Sequence, residues 1–242
     1  MSAGHTFFHM LHIEEQMIPV IGAGTVAVAL TGLGLAVRYK LRNPDEHLIP
    51  APGVSLMNIS TALGNYFKGL LNSIIGHGSE KYVPFVGSIF LFILLCNYSG
   101  FLPGWLPPTE SLNTAAAMAV SVFVFYNVLG LKEHGFHYFK QFTGGLPVPG
   151  YGIPLTIFLT LVAGLVFIIE MVGHIFRPVS LSLRLVGNIT GDHILLGTVS
   201  ELVPLVVPML AMALGLFVGL IQALVFSLLT TVYIKLAVSH DH

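Results

Sequence analysis

Charge is what this chain has least of. Among its 242 residues only 9% are Asp, Glu, Lys or Arg, against 55% hydrophobic residues and a mean hydropathy of +0.85. A soluble domain carries about a quarter charged residues, so this chain cannot clothe a water-facing surface. Its solvent is lipid. A net charge of −1 provides no basic field for nucleic acid. The one cysteine, Cys96, cannot make an internal disulfide. The first 17 residues hold no Lys or Arg, which removes the positive n-region of a signal peptide, so a cleaved leader is not expected. No internal repeat of the transporter kind is visible. No GxxxxGK[ST] motif offers a nucleotide site, and no HExxH offers a protease zinc. Glu170 and His174 stand four residues apart, with no second histidine to make such a ligand set. His174 and His193 lie on one predicted helix, the wrong place for two haem ligands on facing helices. No cofactor or metal is expected. His5, His9 and His12 are spaced to share a helical face that could hold a metal, yet a solvated N-terminal segment is the plainer account of them.

What is present is long apolar sequence. A helix needs roughly 20 apolar residues to span the hydrocarbon core. Residues 18–37 read as a first span that ends at Arg38, Lys40 and Arg42. Over 55–76 the apolar residues Leu56, Ile59, Leu63, Phe67, Leu70 and Ile74 recur in steps of three and four. Asn58, Thr61, Asn65, Lys68 and Asn72 take the other side. That period predicts an amphipathic helix, lying on the membrane or packed on other protein. Residues 84–131 predict a two-span hairpin, interrupted by Pro103, Gly104, Pro107 and Pro108. Residues 153–238 predict a long hairpin turning near 203. Each arm exceeds one perpendicular crossing, so it tilts or breaks in two. The expected fold is an all-α integral membrane protein of one domain, with five transmembrane helices and one surface helix. Basic residues gather between the first and second spans and after the third, and none lies in residues 1–17 or 99–114. The positive-inside rule then places the N-terminus outside and the C-terminus inside.

The fourth apolar stretch carries the ionisable groups. Glu170, His174, Arg177, Leu181, Arg184 and Asn188 step by four and three along one helical face, and Asp192 and His193 follow. A charge at mid-membrane costs at least about 2.5–3.5 kcal/mol, so it marks function by default. Plainer readings exist. Arg177, just before Pro178, could stabilise a bend, and Glu170 and His174 could simply pair. Arg184, 14 residues from Glu170 and well inside the apolar stretch, is harder to explain in such terms. On the partner arm, Gln222 is as far past residue 203 as Arg184 is before it. Its amide oxygen can accept from a guanidinium without neutralising it.

Certain segments resemble one family. RPVSLSLRLVGNITGDH (Arg177–His193) and IQALVFSLLTTVYI (Ile221–Ile234) resemble the two signature stretches of subunit a of the F-type ATP synthase. NYSGFLPG (Asn97–Gly104) and SLNTAAAMAV (Ser111–Val120) resemble its hairpin region. The resemblance runs over residues 55–238. It implies a non-catalytic, proton-conducting stator subunit of a bacterial inner membrane. Its partners would be a ring of small c subunits bearing a mid-membrane carboxyl, peripheral-stalk b subunits, other ATP synthase subunits and lipid. Arg184 matches the family's essential arginine, Gln222 its glutamine and Asn188 its asparagine. Glu170 matches its inner-side carboxylate. Nine residues after the arginine many members carry Glu, and here His193 stands with Asp192 before it. Some members carry His where this chain has Gly215. The resemblance therefore implies an outer half-channel built on His193 and Asp192, with either residue as the relay.

Overall fold

The computed structural model describes residues 17–40, 55–102, 105–135, 153–202 and 206–238. The N-terminal histidines, the basic residues Arg42 and Lys140, and the expected turn near 203 lie outside the described residues. Helix and 3-10 turn are the only regular structure among those described. Among the described residues, five helices are long and apolar enough to cross a membrane.

Helix α1 (Ile18–Lys40) is the first of these. It touches its neighbours mainly near its start, where Gly22 comes so close to Pro108 that a Cβ would sit 2.9 Å from the proline Cγ. Helix α2 (Leu56–Ile74) is the amphipathic one and is not among the five. Its buried centre is Phe67 and Leu71, with Leu63 and Leu70 beside them, while Ile59 is 55% exposed. Leu63, Phe67 and Leu70 of the expected apolar face thus pack inward and Ile59 does not, as α2 docks on the next helix through Phe67, whose ring lies 5.1 Å from that of Phe90. Gly76 and Gly78, at φ 100° and 86°, turn the chain sharply after α2, a backbone that glycine adopts at no steric cost. The Ser79 hydroxyl donates to Asn72 Oδ1 at 2.7 Å and fastens this turn.

Helix α3 (Val83–Ser99) begins with Pro84 in its first turn, where the missing N–H costs nothing. A 3-10 turn at Pro108–Glu110 then leads into α4 (Leu112–His134), which stops at Gly135. Helix α5 (Ile153–Leu202) runs unbroken for 50 residues, about 75 Å at 1.5 Å per residue. That is more than twice a hydrocarbon core of about 30 Å, so α5 must lie strongly inclined in a bilayer. Of the two expected possibilities, tilt or a break, the helix shows no break, even at Pro178. Helix α6 (Val206–Val238) completes the bundle, with Lys235 in its last turn.

The core lies where α3, α4, α5 and α6 meet. Val86 and Ile93 of α3, Tyr126 of α4, Leu185 of α5, and Phe226 and Ile234 of α6 are almost wholly buried there. Buried hydroxyls on α6 cause no deficit, since Ser227, Thr230 and Thr231 donate to the carbonyls four residues earlier. Lipid offers no such partner, so internal satisfaction is what lets these groups stay.

Candidate functional site

Helix α5 supplies most of the expected groups and α6 faces it. Arg184 lies near the middle of the apolar run Phe158–Ser200. Its side chain is exposed and makes no ion pair or hydrogen bond to any other described residue. A fixed guanidinium presented outward at mid-helix is costly in lipid, so something else must cover it. Beside it, Asn188 Nδ2 donates to Gln222 Oε1 at 2.6 Å. Gln222 is 4% exposed, and its Nε2 has no partner among the described residues. Gln222, expected to face Arg184, binds Asn188 one turn further along α5. Asn188 leans towards α6, whereas Arg184 lies on the outer edge of the same face.

Towards the N-terminal end of α5, Glu170 Oε1 is 3.9 Å from Arg177 Nη2. The Arg177 guanidinium also sits 5.3 Å from the centre of the Tyr233 ring on α6, within range for cation–π attraction. Glu170 is exposed and Arg177 half-buried. His174 is different. It is 7% exposed, its ring packs against Phe123 and Tyr126 of α4, and its Nε2 lies 2.9 Å from Asn127 Oδ1. The histidine belongs to the seam between α4 and α5, not to the open face.

Towards the other end, His193 Nδ1 is 3.2 Å from Glu110 Oε2. Glu110 closes the 3-10 turn between α3 and α4. That turn is held by a buried relay of bonds: Thr109 Oγ1 donates to Asn97 Oδ1 at 2.9 Å, and Asn97 Nδ2 donates to the Gly219 carbonyl at 3.2 Å. Asp192 borders a small cleft shared with Asn97, Phe101, Pro107 and Gly215. A Cβ on Gly215 would lie 3.0 Å from Phe101 Cζ and 3.8 Å from Asp192 Oδ2. Phe101 therefore occupies the space into which a side chain at 215 would project.

The chain thus brings together three polar groupings along α5, separated by apolar turns. Sequence reasoning placed Arg184, Glu170, Asp192, His193, Asn188 and Gln222 near this line, and missed Glu110, Asn97 and Asn127. Glu110 had a visible signal, since it is the one acidic residue between 99 and 114. Asn97 and Asn127 had none, because an asparagine in an apolar helix reveals its partner only when the bundle is assembled. Among the described residues, no group of three or more His, Cys, Asp or Glu side chains is arranged to hold a metal ion.

The model of one family, described as ATP synthase A chain, matches residues 23–235. Curated relatives match over nearly full length. A protein of Bdellovibrio bacteriovorus named ATP synthase subunit a is 41% identical over 236 residues, covering 94% of this chain and 97% of its own. One of Syntrophotalea carbinolica, ATP synthase subunit a 2, is 36% identical, covering 98% and 89%. Another, ATP synthase subunit a of Geobacter sulfurreducens, is 34% identical, covering 96% and 93%.

Proposed function

Since the chain belongs to the ATP synthase A chain family, we propose that it is the non-catalytic stator subunit that couples proton flow to rotation, with Arg184 as its electrostatic centre. The observation that carries this reading is the outward guanidinium, without a partner among the described residues, in the middle of a long apolar helix. A rotating ring of small subunits, each with one mid-membrane carboxyl, is the cover it requires. In lipid such a carboxyl stays protonated, because a bare charge is too costly there. Facing Arg184 it loses its proton, since an adjacent cation lowers a carboxyl pKa by about 1–3 units. Arginine suits the place because its own pKa exceeds about 12, so it does not carry protons across.

The groups on either side of Arg184 serve two aqueous half-channels that do not meet. With the N-terminus outside and the C-terminus in the cytoplasm of a bacterial cell, Glu170 stands in the inner half and His193 with Asp192 in the outer half. Glu110 joins the outer half as the acceptor next to His193. Histidine, with a reference pKa near 6.5, takes and gives protons readily. Asn188, exposed and held by Gln222 Oε1, orients the ring carboxyl as it passes Arg184. Each charge crossing the membrane releases about 2.3 kcal/mol per 100 mV, which drives the ring. Peripheral-stalk b subunits would hold the stator against that torque.

The test is Arg184→Ala in vesicles carrying the assembled complex. Proton-driven ATP synthesis should fall roughly 100-fold or more, in line with losing a cation worth about 1–3 pKa units. Arg184→Lys should also fail, because a buried ammonium can lose its proton. Near-normal synthesis by an assembled Arg184→Ala complex would sink the assignment. Cysteine labels at 102 and 238 should react from outside and inside respectively, and labelling from one side only would defeat the orientation.

A further inference from the structure

We propose, resting on the reading above, that Gly22 of α1 and the bonded pair Asn97–Thr109 are positioning residues of the outer half-channel: they grip the turn between α3 and α4 so that Glu110 meets His193. Pro107, Pro108 and Thr109 are each held from a different point. Pro107 packs on Gly100, where a Cβ would lie 2.9 Å from the proline Cγ. Pro108 packs on Gly22, where a Cβ would again lie 2.9 Å from the proline Cγ. Thr109 is 0% exposed, and its Oγ1 donates to Asn97 Oδ1 at 2.9 Å. Asn97 Nδ2 donates in turn to the Gly219 carbonyl at 3.2 Å, which ties the turn to α6. The next residue, Glu110, is the one that reaches α5.

A carboxylate on a loop serves a proton path only if the loop is stiff. Prolines hold φ at about −65°, and the Glu110 N–H donates to the Pro107 carbonyl at 3.1 Å, so the turn also closes on itself. The pair it serves has no slack. Glu110 Oε2 and His193 Nδ1 are 3.2 Å apart, the far limit of reach for groups that hand on protons. At Gly22 ordinary contact begins at 3.4 Å, so a methyl there obliges α1 or the turn to yield by about half an ångström. A displacement of that size is enough to part Glu110 from His193. The feature is local to one position of α1. At Gly24 a Cβ would meet nothing within 4 Å, and Val28, Leu35 and Tyr39 further along the helix are exposed. Within this chain, α1 therefore acts on the proton path through its contact with Pro108.

The test uses vesicles carrying the assembled complex, read as ATP synthesis and as proton flow per complex. Gly22→Ala and Gly24→Ala each add one methyl to the same helix, so helix propensity and lipid solvation change alike. Gly22→Ala should slow both readings about threefold, within the range for coupled neighbours, and Gly24→Ala should leave them unchanged. Thr109→Val keeps the shape and removes the hydroxyl, and it should slow them by a similar factor. Thr109→Ser keeps the donor and should retain normal rates. The deciding arm repeats Gly22→Ala and Thr109→Val in a Glu110→Ala background. Positioning residues act only through Glu110, so neither change should slow flow further there. Slowing that multiplies in that background marks a merely structural contact and overturns the proposal, as does equal flow in Gly22→Ala and Gly24→Ala. Unchanged flow in Glu110→Ala itself overturns it too, since the turn then has nothing to position. Should Gly22→Ala yield no complex, the Thr109 variants decide alone. Arg184→Ala in the same vesicles tests the underlying reading separately, because its coupling is lost whether or not the turn positions Glu110.

Discussion

Helices α3 and α5 are both apolar enough to span a bilayer, yet 44% of the most apolar window in the α3 region is buried inside the protein against 11% in α5. The less covered helix is the one that carries Arg184, Glu170 and Asp192. Ionisable residues within membranes ordinarily face a bundle interior or a water-filled cavity. Here the order is reversed within the single chain, and on the proposed function a partner completes the interior that the polar face of α5 lacks. On that reading α3 serves this chain's own fold and α5 an interface.

Substitutions in the two helices should therefore fail in opposite ways, and the largest effect is on α3. Ile93 is 0% exposed at the centre of the core. Ile93→Ala should destabilise the subunit by about 2–5 kcal/mol through the lost contacts and the cavity. The measurement is the amount of assembled complex in membranes, which should drop sharply while each surviving complex keeps its normal turnover. Arg184→Ala should show the reverse, full assembly without turnover. If both variants lose assembly, the contrast between a folding helix and an interface helix collapses.

The next effect sharpens the comparison along α5 itself. At its far end the helix is braced by the loop carboxylate Glu110 through His193. His193→Leu with Asp192→Leu should slow proton flow roughly tenfold or more with assembly intact, as expected when groups that hand on protons are removed. Glu110→Ala should slow it less, because His193 still reaches water. Undiminished flow in the double variant would take both residues off the path. Gly215→Leu belongs here too. Its Cβ would press on Phe101 Cζ at 3.0 Å, so the ring must swing away and disturb the cleft at Asp192. The same two vesicle assays should show a partial loss of synthesis with little loss of assembly.

Much of this was legible in the sequence, for reasons tied to particular residues. The spans followed from uninterrupted apolar length. The stripe from Glu170 to Asn188 followed from steps of three and four, which depend only on helical pitch. What period cannot show is which part of a face turns inward. His174 shares the stripe with Arg184 yet lies in the α4 seam, because packing against Phe123 and Tyr126 is a tertiary fact. On α2 the period places Leu63, Phe67 and Leu70 on the packed face, and only the exposure of Ile59 needs the docking on α3 to be seen. Glu110 sits in a turn without periodicity, and only the fold brings it to His193. Gln222, counted to stand opposite Arg184, binds Asn188 one helical turn further along α5, because counting from a hairpin turn gives only a rough height and no azimuth.

The smallest effect tests the comparison most finely. Leu183 precedes Arg184 and is 57% exposed on α5. In a chain whose stability were set by its own contacts, Leu183→Ala would change nothing, because the leucine has few internal neighbours to lose. A surface substitution of this kind is usually worth no more than about 0.5 kcal/mol. If α5 is an interface, the side chain is covered in the complex even though it is exposed in the subunit. Leu183→Ala should then leave the level of the subunit in membranes unchanged while loosening its hold on the ring by a modest amount. The reading is retention of the ring on detergent extraction, compared with Val28→Ala on α1, where the side chain is 73% exposed. Both substitutions remove exposed apolar side chains on spanning helices, so lipid solvation alone predicts equal behaviour. A selective loss of ring retention at Leu183 supports the interface, and identical retention in the two variants would count against placing the ring on this face of α5.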